Sequence, residues 1–301
     1  MYYGGIGSVL SSDRDRIAEI AEKLGKLHEN DKLKIYYRKK GEYIRSILAP
    51  SDYPEKILDT AEALSLSSLS IVYLPENLSW VDGEILMLID SLNISKKIIV
   101  SSLDGKKIEN LVSSLKNFTN FELNNNLNEI EEFKEDDKGI VYVDRVFTVK
   151  GVGTVVTGFS FTTVEVHEKL IALPYNKEVE VKSIQVLDED QKNIGSGVRI
   201  GFSIKNVKEE EIKDMTYLVK PDVKIKNEIE GNMTKYKWSS INQGQNHIVV
   251  KGHAIAVNLI SDGERVKIKS SSPIPLVDSQ IPVLNVNVKQ GKPRVAGYIN
   301  L

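Results

Sequence analysis

DRVFTVKGVGTVVTGF, Asp144 to Phe159, carries a β-branched run on each side of a short glycine-punctuated stretch at Gly151 and Gly153. That pattern predicts two strands, Ile140 to Val149 and Thr154 to Phe159, joined by a tight turn. Downstream the same texture continues, with short alternating runs at Val179 to Leu187, Gly197 to Ile204, His247 to Leu259, Arg265 to Ser270, Val283 to Val288 and Pro293 to Ile299. One helical or turn segment, Lys208 to Lys213, interrupts it, and a break at Lys220, Pro221 and Asp222 divides it. The spacing predicts two β-barrel domains, 139–221 and 222–301.

Upstream the period changes. Residues 1–124 alternate short apolar runs with amphipathic segments, the pattern of an α/β domain with a mostly parallel sheet. Ser12 is placed to cap a helix over Asp13 to Leu27, with Ile17, Ala18, Ile20, Ala21 and Leu24 on one face. Strands follow at Lys32 to Arg38 and Glu42 to Leu48, then a helix led by Pro54 that buries Ile57, Leu58, Ala61 and Leu64. Ser70 to Leu74 and Lys97 to Ser101 read as strands, and Val81 to Leu92 and Lys106 to Leu115 as helices. Residues 125–138 are rich in Asn and acid and read as a linker; Leu127, Ile130 and Phe133 also have the spacing of a helical face.

Composition narrows the function. The 301 residues contain no cysteine, which excludes disulfides, thiolate zinc sites and cysteine nucleophiles. His28, His167, His247 and His253 have neither metal-ligand spacing nor a triad arrangement in the sequence. The chain has no leader pattern and no apolar run of spanning length, so a cytoplasmic protein with no membrane partner is expected. The net charge of -2 hides a split: 18 Lys and Arg stand against 24 acids through Lys138, and 22 against 18 beyond it. A polyanion, if bound, is expected at the second half.

The Asp144–Phe159 stretch resembles the second domain of the translational GTPases, elongation factor Tu and the selenocysteine-specific elongation factor of archaeal type above all. Asp144, Gly151, Gly153, Thr154, Val155 and Gly158 fall at the positions of that barrel's opening strand and hairpin, and SGVRIGFSIKNV, Ser196 to Val207, resembles a later strand. GKPRVAGYINL, Gly291 to Leu301, is similar to the last strand of the family's third domain. The resemblance implies a P-loop GTPase-like α/β domain followed by two β-barrels.

The family's nucleotide motifs are degenerate. A phosphate loop needs Gly-x-x-x-x-Gly-Lys-Ser/Thr; the stretch here is MYYGGIGSVLSSDR, with Gly4, Gly5 and Gly7, no lysine after a glycine, and Asp13 and Asp15 at the helix start. Near LAPSDYPEK, Leu48 stands for the metal-binding acid, Ser51 for the γ-phosphate glycine and Asp52 for the catalytic histidine. The guanine motif reads Ser101, Ser102, Leu103, Asp104, and Asp104 is the natural cap of the next helix. The resemblance therefore leads to the expectation of a pseudo-GTPase: no enzyme, no GTP, no cofactor and no metal.

What the resemblance implies instead is a binding role toward the ribosome or a subunit, rRNA or tRNA, in occupying a factor site, hibernation or dimerisation, or assembly, with homo-oligomerisation left open. Candidate RNA contacts are Arg145 and Lys150 beside the hairpin, Arg199, and the run Arg38, Lys39, Lys40 flanked by Tyr36, Tyr37 and Tyr43. For each, the plainer reading is a solvated cation or a packed tyrosine. Val198 replaces the family's adenosine-contacting glutamate. The alternative is a protein-interaction scaffold without RNA binding, in keeping with the near-neutral charge.

Overall fold

A computed structural model describes residues 1–301 except 32, 128, 129, 242 and 290. The α/β domain runs β1 (Tyr3–Ser11), α1 (Arg14–Leu24), β2 (Lys26–Asn30), β3 (Leu33–Lys40), β4 (Tyr43–Pro50), α2 (Ile57–Ser65), β5 (Leu69–Leu74), α3 (Trp80–Ser91), β6 (Lys96–Ser101), α4 (Gly105–Val112) and β7 (Glu122–Leu123). Its sheet has the order β2-β3-β4-β1-β5-β6-β7. From β4 to β7 neighbours are parallel, and β3 and β2 extend the sheet antiparallel.

Three elements of this domain differ from expectation: α2 begins at Ile57 with Lys56 at its cap, not at Pro54, which lies in the preceding turn, and α1 and β2 depart for visible reasons. Helix α1 stops at Leu24, because Gly25 lies against the Tyr37 backbone and turns the chain into β2, an edge strand the periodicity had not revealed. The cap is Asp13, whose carboxylate accepts from the N–H groups of Asp15 and Arg16, while Ser12 Oγ donates to Asp82 at 2.6 Å. Asp104 caps α4 as its position predicts. Lys32, the first residue of one expected strand, lies outside the described residues.

The first barrel comprises β8 (Ile140–Val149), β9 (Gly153–Phe161), β10 (Val164–Glu165), β11 (Lys169–Leu173), β12 (Lys177–Val186), β13 (Glu189–Gln191), β14 (Asn193–Ile194), β15 (Val198–Lys205), α5 (Glu209–Ile212) and β16 (Tyr217–Val219). The ring β11-β16-β8-β9-β15-β12 closes through the β11–β12 pairing, around Phe159, Phe161 and Phe202. The predicted hairpin is β8–β9, with Gly151 at φ 83° and Gly153 at φ 107°, conformations an L side chain resists.

The second barrel comprises β17 (Ile225–Lys235), β18 (Gly244–Val250), β19 (His253–Asp262), β20 (Arg265–Pro275), β21 (Gln280–Leu284) and β22 (Val295–Asn300), and it closes in the order β17-β20-β19-β18-β21-β22. The expected single strand His247 to Leu259 is two, reversed at Lys251 and Gly252, where apolar residues on both sides of a buried turn mask the break.

Between the domains, residues 130–138 carry no regular secondary structure and lie along β1, so the helical spacing of Ile130 and Phe133 is not used. The Glu135 N–H donates to the Gly4 carbonyl at 3.2 Å, and its carboxylate accepts from the Ile6 N–H at 3.0 Å and Ser68 Oγ at 2.6 Å. A Cβ at Gly4 would sit 2.1 Å from the Ile44 oxygen and one at Gly5 2.3 Å from the Phe133 oxygen. These glycines lie inside a strand and admit the linker and a neighbouring strand.

Candidate functional site

A cleft of about 780 Å³ opens between the β2–β3 edge of the α/β domain and the outer face of the first barrel. Strands β8 and β9 supply Phe147, Val149 and Val155 by period-2 alternation, the turn after β12 adds Leu187, and Ile200 of β15 reaches the wall from the barrel core. Glu29, Asp31 and Tyr37 face it from the α/β domain.

Arg199 holds the cleft together. Its Nε and Nη2 donate to the two oxygens of Glu29 at 2.9 and 3.0 Å, and Nη1 donates to Asp144. Asp144 also accepts from Thr157 Oγ1 at 2.7 Å. Burial alone would make the guanidinium easier to deprotonate, but Asp144, Tyr37 and Glu29 outweigh it and fix the charge. Burial drives the Tyr37 hydroxyl up, and among the described residues that hydroxyl and Ser203 Oγ, both buried, have no hydrogen-bond partner. An unpaired buried hydroxyl is costly.

The sequence-derived candidates separate into three groups. Arg199 and Arg145 reach the cleft, Arg145 donating to Asp31 at 3.2 Å. Lys39 donates to Tyr2 and, at 2.9 Å, to Glu189, and Lys40 to Glu132 at 3.1 Å; both fasten neighbouring segments, and Arg38 beside them is exposed. Lys150 stands exposed at the hairpin tip, away from that run. Tyr36, Tyr37 and Tyr43 are packed, with Tyr37 alone lining the cleft. Asp144 stood out in the sequence as a motif residue though not as a partner of Arg199, whereas Glu29 escaped, since a Glu in the unpredicted edge strand gives no signal of its own. Among the described residues no cluster of His, Asp and Glu is arranged to hold a metal ion.

An α/β domain followed by two closed six-stranded barrels is the fold of elongation factor SelB. The chain superimposes on elongation factor SelB of Methanococcus maripaludis, solved in complex with the GTP analogue GppNHp, with a TM-score of 0.78, covering 100% of this chain and 79% of that one at 17% identity. In sequence it is 30% identical to the selenocysteine-specific elongation factor of Methanocaldococcus jannaschii over 190 residues, 53% of this chain and 40% of that factor. It is 27% identical over 269 residues to an uncharacterized protein of the same organism, covering 84% of this chain and 86% of that protein. No family model matches the chain. The chain is thus related to the translational GTPases of the SelB and elongation factor Tu type.

These relationships correct the expectation that the chain is no enzyme and takes no GTP. The similar proteins are elongation factors, and one is solved holding a GTP analogue, so the loss of motif residues does not exclude that chemistry. The Asp13 cap occupies N–H groups at the start of α1, where a phosphate in such a fold would be sought. No helix among the described residues is long and apolar enough to cross a membrane.

Proposed function

We propose that this chain acts in translation as an elongation-factor-like protein that docks on a ribosomal particle or its RNA. The observation that carries the reading is the whole-chain agreement with SelB, barrels included. The cleft supports it with an apolar wall for a flat group and with Arg199 held rigidly by Glu29 and Asp144. Lys150, at the exposed hairpin tip, adds a cation for phosphate.

Pelleting purified ribosomal subunits through a dense cushion with the protein tests the proposal. The protein pellets with one subunit at low salt, and Lys150→Glu weakens that association; retention in the supernatant with every particle overturns it. A scaffold role is the second reading, favoured by one observation: Arg145, Arg199, Lys39 and Lys40 are committed to acids of their own chain. A partner that survives ribonuclease treatment would support it.

A further inference from the structure

The chain's two tryptophans, Trp80 and Trp238, are 44% and 45% exposed, although each is large enough to bury well over a hundred square ångströms. They flank one seam. Trp80 opens α3, and Glu84, one turn further on, accepts from the Arg294 backbone N–H at 2.6 Å and from its guanidinium. The next residue, Val295, accepts from Ser239 Oγ, and Ser239 follows Trp238. The two tryptophans therefore belong to elements that meet along one seam, Trp80 at the start of α3 and Trp238 in the β17–β18 loop of the second barrel.

The β17–β18 and β21–β22 loops contain no acid: residues 236–243 read YKWSSINQ and residues 285–294 read NVNVKQGKPR. Lys237, Lys289 and Lys292 are exposed and form no ion pair with any described residue, and Lys237 Nζ lies 4.8 Å from the centre of the Trp238 ring. The acids that meet the second barrel at this seam are engaged: Glu84 pairs with Arg294, Asp90 accepts from Tyr236 Oη and the Asn117 N–H, and Glu62 accepts from the Ala254 N–H. Exposed indoles give flat stacking platforms that tolerate any base, and unpaired lysines give charge for the backbone between them.

From this juxtaposition we infer that the α3–second barrel seam is a second RNA-binding surface, which takes a short unpaired strand: bases stack on Trp238 and Trp80, and phosphates meet Lys237, Lys289 and Lys292. It rests on the translation reading but lies on a different barrel from the cleft. Lysine contacts make binding strongly salt-dependent, and losing one stacking platform weakens it about tenfold.

Because no other tryptophan exists, intrinsic fluorescence reads this surface alone. Titration with a short uniform-uridine oligonucleotide quenches the emission; Trp238→Phe removes most of that change, and the triple variant K237A/K289A/K292A weakens binding at least tenfold while leaving thermal stability unaltered. Unchanged fluorescence with the oligonucleotide, while the protein still pellets with ribosomal particles, overturns the second surface and leaves the translation reading intact. Loss of both defeats both. Equal quenching by polyglutamate overturns RNA in favour of an acidic protein partner.

Discussion

The α/β domain meets its two barrels by opposite means. Against the first barrel it uses ion pairs around an open cleft: Arg199 with Glu29, Arg145 with Asp31, and Lys39 with Glu189. Against the second it uses a closed polar network. Glu84, fully buried, accepts three bonds from Arg294, whose Nη1 donates to the Pro54 carbonyl at 2.7 Å. Tyr236 donates to Asp90 and the Met87 carbonyl, and Gln280 donates to the Asp90 and Ser91 carbonyls that close α3. Of the first set, Arg145–Asp31 and Lys39–Glu189 face water and hold weakly, whereas Arg199–Glu29 is largely buried, like Arg294–Glu84, and breaking either strands a charge. Both barrels share a buried apolar cluster with the α/β domain, the first through Tyr2, Ile6, Ile44 and Leu48 and the second through Leu284, Val295 and Tyr298; the difference is that the first leaves an open cleft beside its contact.

The largest effect should come from breaking the closed seam. Arg294→Ala leaves the Glu84 carboxylate uncompensated and lowers unfolding stability by about 3–5 kcal/mol in denaturant titration; a change below about 1 kcal/mol would show that the seam does not hold the domains. Arg199→Ala loses charge-assisted bonds at the half-open cleft and costs about 2 kcal/mol, with the added hydrogen exchange confined to β2 and β8.

A third test uses pH. Glu62, on α2, accepts from the Ala254 N–H at 2.7 Å across the second-barrel contact, and burial pushes its carboxyl up to about 7. A carboxyl titrating higher in the folded than in the unfolded chain favours folding fully below the unfolded value, about 4.5, and that support fades as pH rises through 7. Stability therefore falls on the order of 1 kcal/mol between those limits after solvent screening, and Glu62→Gln flattens the profile. The smallest effect belongs to the start of α1: Asp13→Ala costs about 1 kcal/mol as a lost cap, and by freeing two N–H groups it raises whatever affinity labelled GppNHp shows. An unchanged nucleotide affinity would remove the cap from the account.

The first barrel was legible because its determinants are local: Gly151 and Gly153 need positive φ, and the flanking β-branched residues alternate. The α/β order was legible from helical periodicity and from caps such as Asp104. What escaped depends on distant partners. Strand β2 is an edge strand of mixed polarity recognisable only from its pairing with β3, and the linker is extended because Gly4 and Gly5, at the far end of the domain in sequence, leave space for it. The cations of the candidate site were identifiable by type; their pairing with Glu29, Asp31, Glu132 and Glu189 was not, since sequence spacing says nothing about carboxylates from other elements.

The central claim, that this elongation-factor-like chain docks on the translational apparatus, is tested most directly by sedimenting native lysate through a sucrose gradient and probing each fraction at low and moderate salt, before and after ribonuclease. The account predicts co-migration with a ribosomal particle that weakens with salt and is abolished by ribonuclease. Persistent migration at the top of the gradient at low salt and across growth phases would contradict it.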